Sequence, residues 1–242
     1  MSAVLMPSVS ASDLRAMLDR IPLLKGLEDA LLNRLATIVR VRSYRRRAHV
    51  ILKGSVGEEM FFVLHGKLQV VDTSDSGREV GVNMIETGDI FGELSLIDGE
   101  PRSASVIAVS ESLLAFLPRG AALNLFFHNP LVAERMLRRM AKRLRDVSKY
   151  QTLVAIPNAF ARIYALLQQL AEQEHVGATA IENMPTHQQL AIMANASRET
   201  VTRAIRSLIR AGVLAKDHRR LLILDPEGLR RAAEKDGPKK IS

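Results

Sequence analysis

Phe91-Gly-Glu-Leu-Ser-Leu-Ile-Asp-Gly-Glu-Pro-Arg-Ser-Ala-Ser-Val106 is the stretch on which the reading of this 242-residue chain turns. It sets two glycines, the carboxylate of Glu93 and the triplet Arg102-Ser103-Ala104 between two apolar runs. Backbone amides near Gly92, with Arg102 and Ser103, suit a phosphate, because amide N–H groups and a guanidinium both donate to anionic oxygens. Glu93 suits the hydroxyls of a sugar. The stretch, Leu94 included, reads as a phosphate-binding cassette for a cyclic nucleotide.

Around it, from Val41 to about Leu117, short runs of Val, Ile, Phe and Leu alternate with glycines. Met60-Phe-Phe-Val-Leu64, Leu68-Gln-Val-Val71 and Ser105-Val-Ile-Ala-Val109 are examples, and Asp75-Ser-Gly77 is a turn signal. Many short strands at close spacing predict a β-barrel or jelly roll. Before it, Leu14, Met17, Leu18 and Ile21, then Leu27, Leu31, Leu32, Leu35 and Ile38, give two short helical stripes.

After the barrel the period changes. Residues 130–155 predict one long helix, with Pro130 in its first turn. Ala133, Leu137, Met140, Leu144, Val147, Gln151 and Val154 step by four and three, a heptad seam that predicts a partner helix from a second copy. Arg135, Arg138, Arg139, Lys142, Arg143 and Arg145 occupy its other faces. The competing reading packs this helix on its own barrel. Ile156-Pro157-Asn158 breaks it and reads as a hinge, and Phe160, Ile163, Leu166, Leu167 and Leu170 start a new helix. The expected division is 1–129, 130–156 and 157–242, with a disordered tail from Lys235 to Lys240.

Thr186-His-Gln-Gln-Leu-Ala-Ile-Met193 predicts a short helix with Thr186 as N-cap. Asn195-Ala196 turns the chain, and Ser197 caps a second helix from Arg198 to Arg210. Val201, Ile205, Leu208 and Ile209 form its buried face. Arg198, Glu199, Thr202, Arg203 and Arg206 form the other. That face suits a DNA major groove: arginine pairs with guanine O6 and N7, and glutamate accepts from cytosine N4. Ser197 and Thr200 sit where phosphate contacts occur, and Thr186 and Gln188 join them as candidate DNA contacts. Gly212 ends the helix, and residues 213–224 read as a β-hairpin wing.

Composition narrows the classes. The chain has no cysteine, which excludes disulfides, iron–sulfur ligation and thiolate catalysis. The six histidines show no metal-ligand spacing, so no metal or cofactor is expected. No apolar run approaches about 18 residues and the start resembles no secretory signal, so the expectation is a cytoplasmic protein with no membrane partner. The formal charge of +8 suits an acidic partner such as nucleic acid, although a merely soluble basic protein fits that charge equally.

These residues resemble the CRP/FNR family of bacterial transcription regulators, from about residue 20 to 228. Phe91-Gly-Glu-Leu94 with Arg102-Ser-Ala104 is similar to that family's cyclic-nucleotide cassette, and Ser197-Arg-Glu-Thr-Val-Thr-Arg203 to its recognition helix. The resemblance implies an α+β fold: a cyclic-nucleotide-binding β-roll, a long dimerisation helix and a C-terminal winged helix-turn-helix. It implies that Gly92 and Glu93 face the ribose and cyclic phosphate, that Arg102 and Ser103 hold the phosphate, and that Arg143 lies near that site and pairs with Glu93. It implies that Arg198, Glu199 and Arg203 read base edges in palindromic DNA with TGTGA-type half-sites. A homodimer acting with RNA polymerase, and no enzyme activity, follow from the same resemblance.

One departure matters. The family's cyclic-AMP receptors carry Thr-Ser on the long helix, where both meet the adenine; here the pair is Val147-Ser148. A missing hydrogen bond in a buried site costs about 1–3 kcal/mol. The base is therefore left open among cyclic AMP, cyclic GMP and cyclic di-GMP. A constitutive regulator with a ligand-free β-roll stays open, as does a haem held by two histidines. A phosphodiesterase or cyclase would need metal-binding clusters that Asp89, Glu93, Asp98 and Glu100 do not suggest. For Arg102→Ala the expectation is loss of nucleotide binding with the fold intact.

Overall fold

The computed structural model describes residues 9–73, 79–174, 179–218 and 220–234. The turn at Asp75–Gly77 and the tail from Lys235 lie outside them. The chain forms two compact units, 1–140 and 141–242. Their boundary falls inside the long helix, whereas the sequence reading gave that helix a segment of its own.

The first unit opens with α1 (Ala11–Asp19), capped by the Ser10 hydroxyl, and α2 (Asp29–Ile38). Eight strands follow: β1 (Arg40–Tyr44), β2 (His49–Ile51), β3 (Glu59–His65), β4 (Lys67–Thr73), β5 (Glu79–Glu86), β6 (Ile90–Phe91), β7 (Ser105–Ala108) and β8 (Ser112–Pro118). They form two antiparallel sheets, ordered β1-β8-β3-β6 and β2-β7-β4-β5. This exchange between sheets is a jelly roll.

The continuous apolar runs have a reason in this layering. Side chains alternate across a strand. Phe61 and Val63 of β3 and Leu114 and Phe116 of β8 point between the two sheets. Met60, Phe62, Ala115 and Leu117 point outward into a core shared with α1, α2 and three later helices. Both faces of these strands are therefore buried, and neither shows a polar side. Phe61 stacks on Phe91 with ring centroids 4.8 Å apart.

Two helices went unread in the sequence. α3 (Leu94–Ile97) is a single turn inside the cassette, and α4 (Arg119–His128) buries Ala122, Leu125 and Phe126. Next comes α5 (Pro130–Val154), close to the expected 130–155. Its first turns do pack on their own unit: Val132 and Met136 are buried in the core, and Met140 borders it. Arg135 donates to Leu23 O and Lys25 O, and Arg139 to Ile90 O with an ion pair to Asp89, so these two arginines are not simply solvated. Three of the heptad positions are different: Leu137, Leu144 and Val147 are 67%, 70% and 52% exposed, while Ala133 and Met140 are half-buried.

In the second unit, α6 (Ala159–Glu174) begins at the predicted break, where Asn158 Oδ1 accepts from the Phe160 amide at 2.7 Å. A short strand β9 (Ala180–Ile181) precedes α7 (His187–Met193) and α8 (Arg198–Arg210). The wing is β10 (Leu214–Asp217) paired with β11 (Arg220–Ile223), which also pairs with β9. α9 (Pro226–Glu234) closes the core through Leu229 and Ala233. Asp225-Pro226-Glu227 is a helix-start signature that the sequence reading passed over.

Candidate functional site

The cassette folds as a glycine-lined cradle around one guanidinium. Arg102 is only 5% exposed, and its Nη1 and Nη2 donate to Gly92 O at 2.6 Å and Glu59 O at 2.5 Å. The backbone of Arg102 is held too, donating to Ser55 O at 2.9 Å and accepting from the Gly54 amide at 2.8 Å. Burial draws the guanidinium below its ordinary pKa, against the pull of Glu59, Glu93 and Glu58. It remains a cation at any physiological pH.

Two glycines make room for it. Gly92 has φ +79°, a left-handed conformation, and a Cβ there would sit 2.7 Å from Arg102 Nη1. A Cβ on Gly57 would meet Ser95 Cβ at 2.5 Å and Arg102 Cζ at 3.3 Å. Glu93 is 2% exposed, while Leu94 is 40% exposed. Ser103 is exposed and Ala104 half-buried. Arg102 thus also serves the protein's own backbone, so its removal carries a stability cost that the sequence did not show. Gly57 and Glu59 were not legible as site residues, since their link to Arg102 spans more than forty positions.

Arg143, Val147 and Ser148 belong to the second unit, on the later turns of α5. Ser148 is exposed, and its carbonyl accepts from the Thr152 hydroxyl at 3.1 Å.

The helix-turn-helix is built by local chemistry. Thr186 and Gln189 form a reciprocal capping box, with the Thr186 amide donating to Gln189 Oε1 at 2.8 Å. Asn195, at φ +46°, makes the turn, and Ser197 Oγ accepts from the Thr200 amide at 3.1 Å. Gly212, at φ +73°, follows the end of α8. Val201, Ala204, Ile205 and Leu208 are buried, while Arg198, Glu199, Arg203 and Arg206 are exposed. Arg198, Glu199 and Arg203, expected to read base edges, therefore share an open face with Arg206. Gln188 and Ser197 are exposed and Thr200 half-buried. Thr202 differs: its hydroxyl donates to Arg198 O at 2.9 Å and meets His187 Nδ1 of α7 at 2.9 Å. It fastens the two helices.

A second fastening was invisible in the sequence. Arg162, on the first turn of α6, donates to Ile156 O at 2.7 Å and Pro157 O at 3.0 Å in the break after α5. It also donates to Ala194 O at 2.8 Å and Asn195 O at 2.9 Å in the turn between α7 and α8. One planar fork grips both segments. An arginine on a helix reads in sequence as a solvated charge, so nothing flagged it.

Among the described residues no group of three His, Asp or Glu side chains is placed to hold a metal, and no helix is long and apolar enough to cross a membrane.

Comparison with known proteins gives the following. Residues 41–129 match the family described as "Cyclic nucleotide-binding domain", and residues 161–232 the one described as "Crp-like helix-turn-helix domain". The chain is 32% identical over 194 residues to the Cyclic AMP receptor protein of Thermus thermophilus, covering 80% of this chain and 88% of that protein. It is 27% identical over 219 residues to the CRP-like cAMP-activated global transcriptional regulator of Mycobacterium tuberculosis, covering 89% and 98%. The crystal structure of the Thermus thermophilus Catabolite Activator Protein aligns with a TM-score of 0.51 at 29% identity, covering 88% of this chain and 98% of that one.

Proposed function

Since this chain belongs to the CRP/FNR family of cyclic-nucleotide-binding transcription regulators, we propose that it works as a homodimer that binds palindromic DNA under control of a cyclic nucleotide. The observation that carries the reading is the continuity of α5. Its exposed seam of Leu137, Leu144 and Val147 runs from the cassette unit to the break at Ile156–Pro157. There Arg162 holds the break and the helix-turn-helix turn together.

In this reading two copies pair along the seam, and two α8 helices enter successive major grooves about 34 Å apart. Arg198, Glu199, Arg203 and Arg206 meet base edges, with Thr186, Gln188, Ser197 and Thr200 at the backbone. Ligand enters at the cassette, where Gly92, Glu93, Arg102 and Ser103 take the sugar and phosphate. Arg102 then exchanges a backbone carbonyl for a phosphate oxygen, which converts ligand binding into movement of the Gly92 and Glu59 segments. Arg143, Val147 and Ser148 answer for the rest of the ligand from the long helix. A change in α5 reaches the DNA-binding helix through the hinge carbonyls that Arg162 grips.

Cyclic AMP is the first ligand to test, because two similar proteins are named for it. Val147 keeps cyclic GMP and cyclic di-GMP in contention. The alternative, a constitutive regulator with a ligand-free β-roll, draws on the Arg102 side chain already donating to the carbonyls of Gly92 and Glu59. The deciding experiment is a thermal-shift and calorimetric screen of cyclic AMP, cyclic GMP and cyclic di-GMP, followed by DNA affinity with and without the nucleotide that binds. A tight ligand raises the melting temperature by mass action. If none of the three binds, or DNA affinity is the same at saturation, the constitutive reading replaces this one. RNA polymerase is the proposed partner at the promoter, in keeping with the family.

A further inference from the structure

His187 stands at the head of α7, half-buried, on the wall of a cleft of about 570 Å³. The cleft lies between the 182–185 loop, α7, α8 and the wing. Its charged and titratable lining is Glu182 from the loop, His187 from α7, and Lys216, His218 and Arg220 from the wing. Glu182 and Asp217 both pair with Arg220. From α8, Arg198 and Arg206 act on the His187 ring, as Lys216 does from β10.

The hydrogen-bond pattern favours one arrangement of protons on that ring. A hydroxyl has one proton, and Thr202 spends it on Arg198 O, which can only accept. With that proton on Arg198 O, the contact between Thr202 Oγ1 and His187 Nδ1 is made by an N–H on Nδ1. That holds whether the ring is neutral or charged, so the fastening of α7 to α8 survives both states. Only Nε2 changes: it accepts when the ring is neutral and donates when it is charged.

We propose that His187 is a proton-linked phosphate contact, taking up a proton at Nε2 as a DNA backbone phosphate enters the cleft. The proposal rests on the reading that α8 binds DNA. In the free protein, burial first, then Lys216, Arg198 and Arg206, hold the imidazole below its usual value of 6.5. A phosphate among the same cations offsets their field and accepts from Nε2–H, so the bound value is higher than the free one. The sign follows: DNA affinity rises as pH falls through the bound value and levels off below the free one. Each unit of difference between the two is worth about tenfold in affinity.

The test uses the full-length protein and a duplex that the protein itself selects from a random pool, at constant salt, from pH 5.5 to 8. Wild type is expected to gain affinity on acidification more steeply than His187→Gln, by up to one proton per protomer and so two per dimer. Glutamine still offers an N–H to Thr202 but cannot titrate. In parallel, the His187 ring carbon is followed by NMR in free and DNA-bound wild type, where its midpoint should move upward on binding. Equal pH slopes for the two proteins, or one midpoint in both states, would overturn the proposal and leave DNA binding standing. Failure to select a duplex at any pH would remove both.

Discussion

Arg102→Ala tests the cradle most directly. The side chain makes two charge-assisted hydrogen bonds to backbone carbonyls of separate segments. Each such bond contributes about 1.5–3 kcal/mol, so the gross loss is about 3–6 kcal/mol. The substitution also releases the cost of desolvating a guanidinium, and water entering the vacated space re-solvates Gly92 O and Glu59 O in part. A net loss of about 3 kcal/mol remains, and buried Glu93 loses a nearby cation besides. Because the chain has two units, calorimetry on the full-length protein is the right assay. The transition of the 1–140 unit should fall by roughly 10 °C, while that of the winged-helix unit holds. Arg102→Lys keeps the charge but cannot span both carbonyls, and should fall about half as far. If Arg102→Ala abolished nucleotide binding yet melted within about 2 °C of wild type, the two bonds would carry no structural weight, and the argument from the buried fork would fail.

Other outcomes follow from the same geometry. Leu144→Glu, at the most exposed apolar residue of the seam, places a charge on both copies of the proposed dimer interface; sedimentation should show monomer where wild type is dimeric at micromolar concentration, and a monomeric wild type ends the seam reading. Val147→Thr supplies a hydroxyl at the position proposed to meet the base and should tighten cyclic AMP by roughly five- to tenfold, about 1 kcal/mol; unchanged affinity places Val147 away from the base. Arg162→Lys loses the fork across four carbonyls, so the ratio of DNA affinities with and without cyclic AMP should shrink toward one; an unchanged ratio takes Arg162 out of the coupling. Arg198→Ala should cost about 1–3 kcal/mol on the selected duplex and relax one base position, whereas a uniform loss on all sequences makes Arg198 a phosphate contact.

Much of this molecule is legible along the chain because its determinants are local. The N-caps at Thr186 and Ser197, the turn at Asn195 and the stripe of Val201, Ile205 and Leu208 each depend on residues within about two helical turns. The double-sided burial of Met60–Val63 is written in an unbroken apolar run. The exposed seam of α5 is equally written in its four-three spacing, because helix geometry alone puts those residues on one face. Single turns such as α3 are too short to establish a period, so they left no such trace.

The sequence by itself determined the order of parts (β-roll, long helix, helix-turn-helix and wing) and which residue types stand ready for phosphate and for base edges. Only the tertiary structure decided what those side chains are already doing. Arg102 is turned onto Glu59, 43 positions away, and Arg162 onto Ala194 and Asn195, more than thirty away. Thr202, read as one of a row of base contacts, is drawn to His187, fifteen residues before it. A guanidinium or a hydroxyl has no local preference strong enough to announce its partner; its bonds are set by whichever carbonyls and rings folding brings within about 3 Å. That contact is a property of the packed chain, and no spacing rule encodes it.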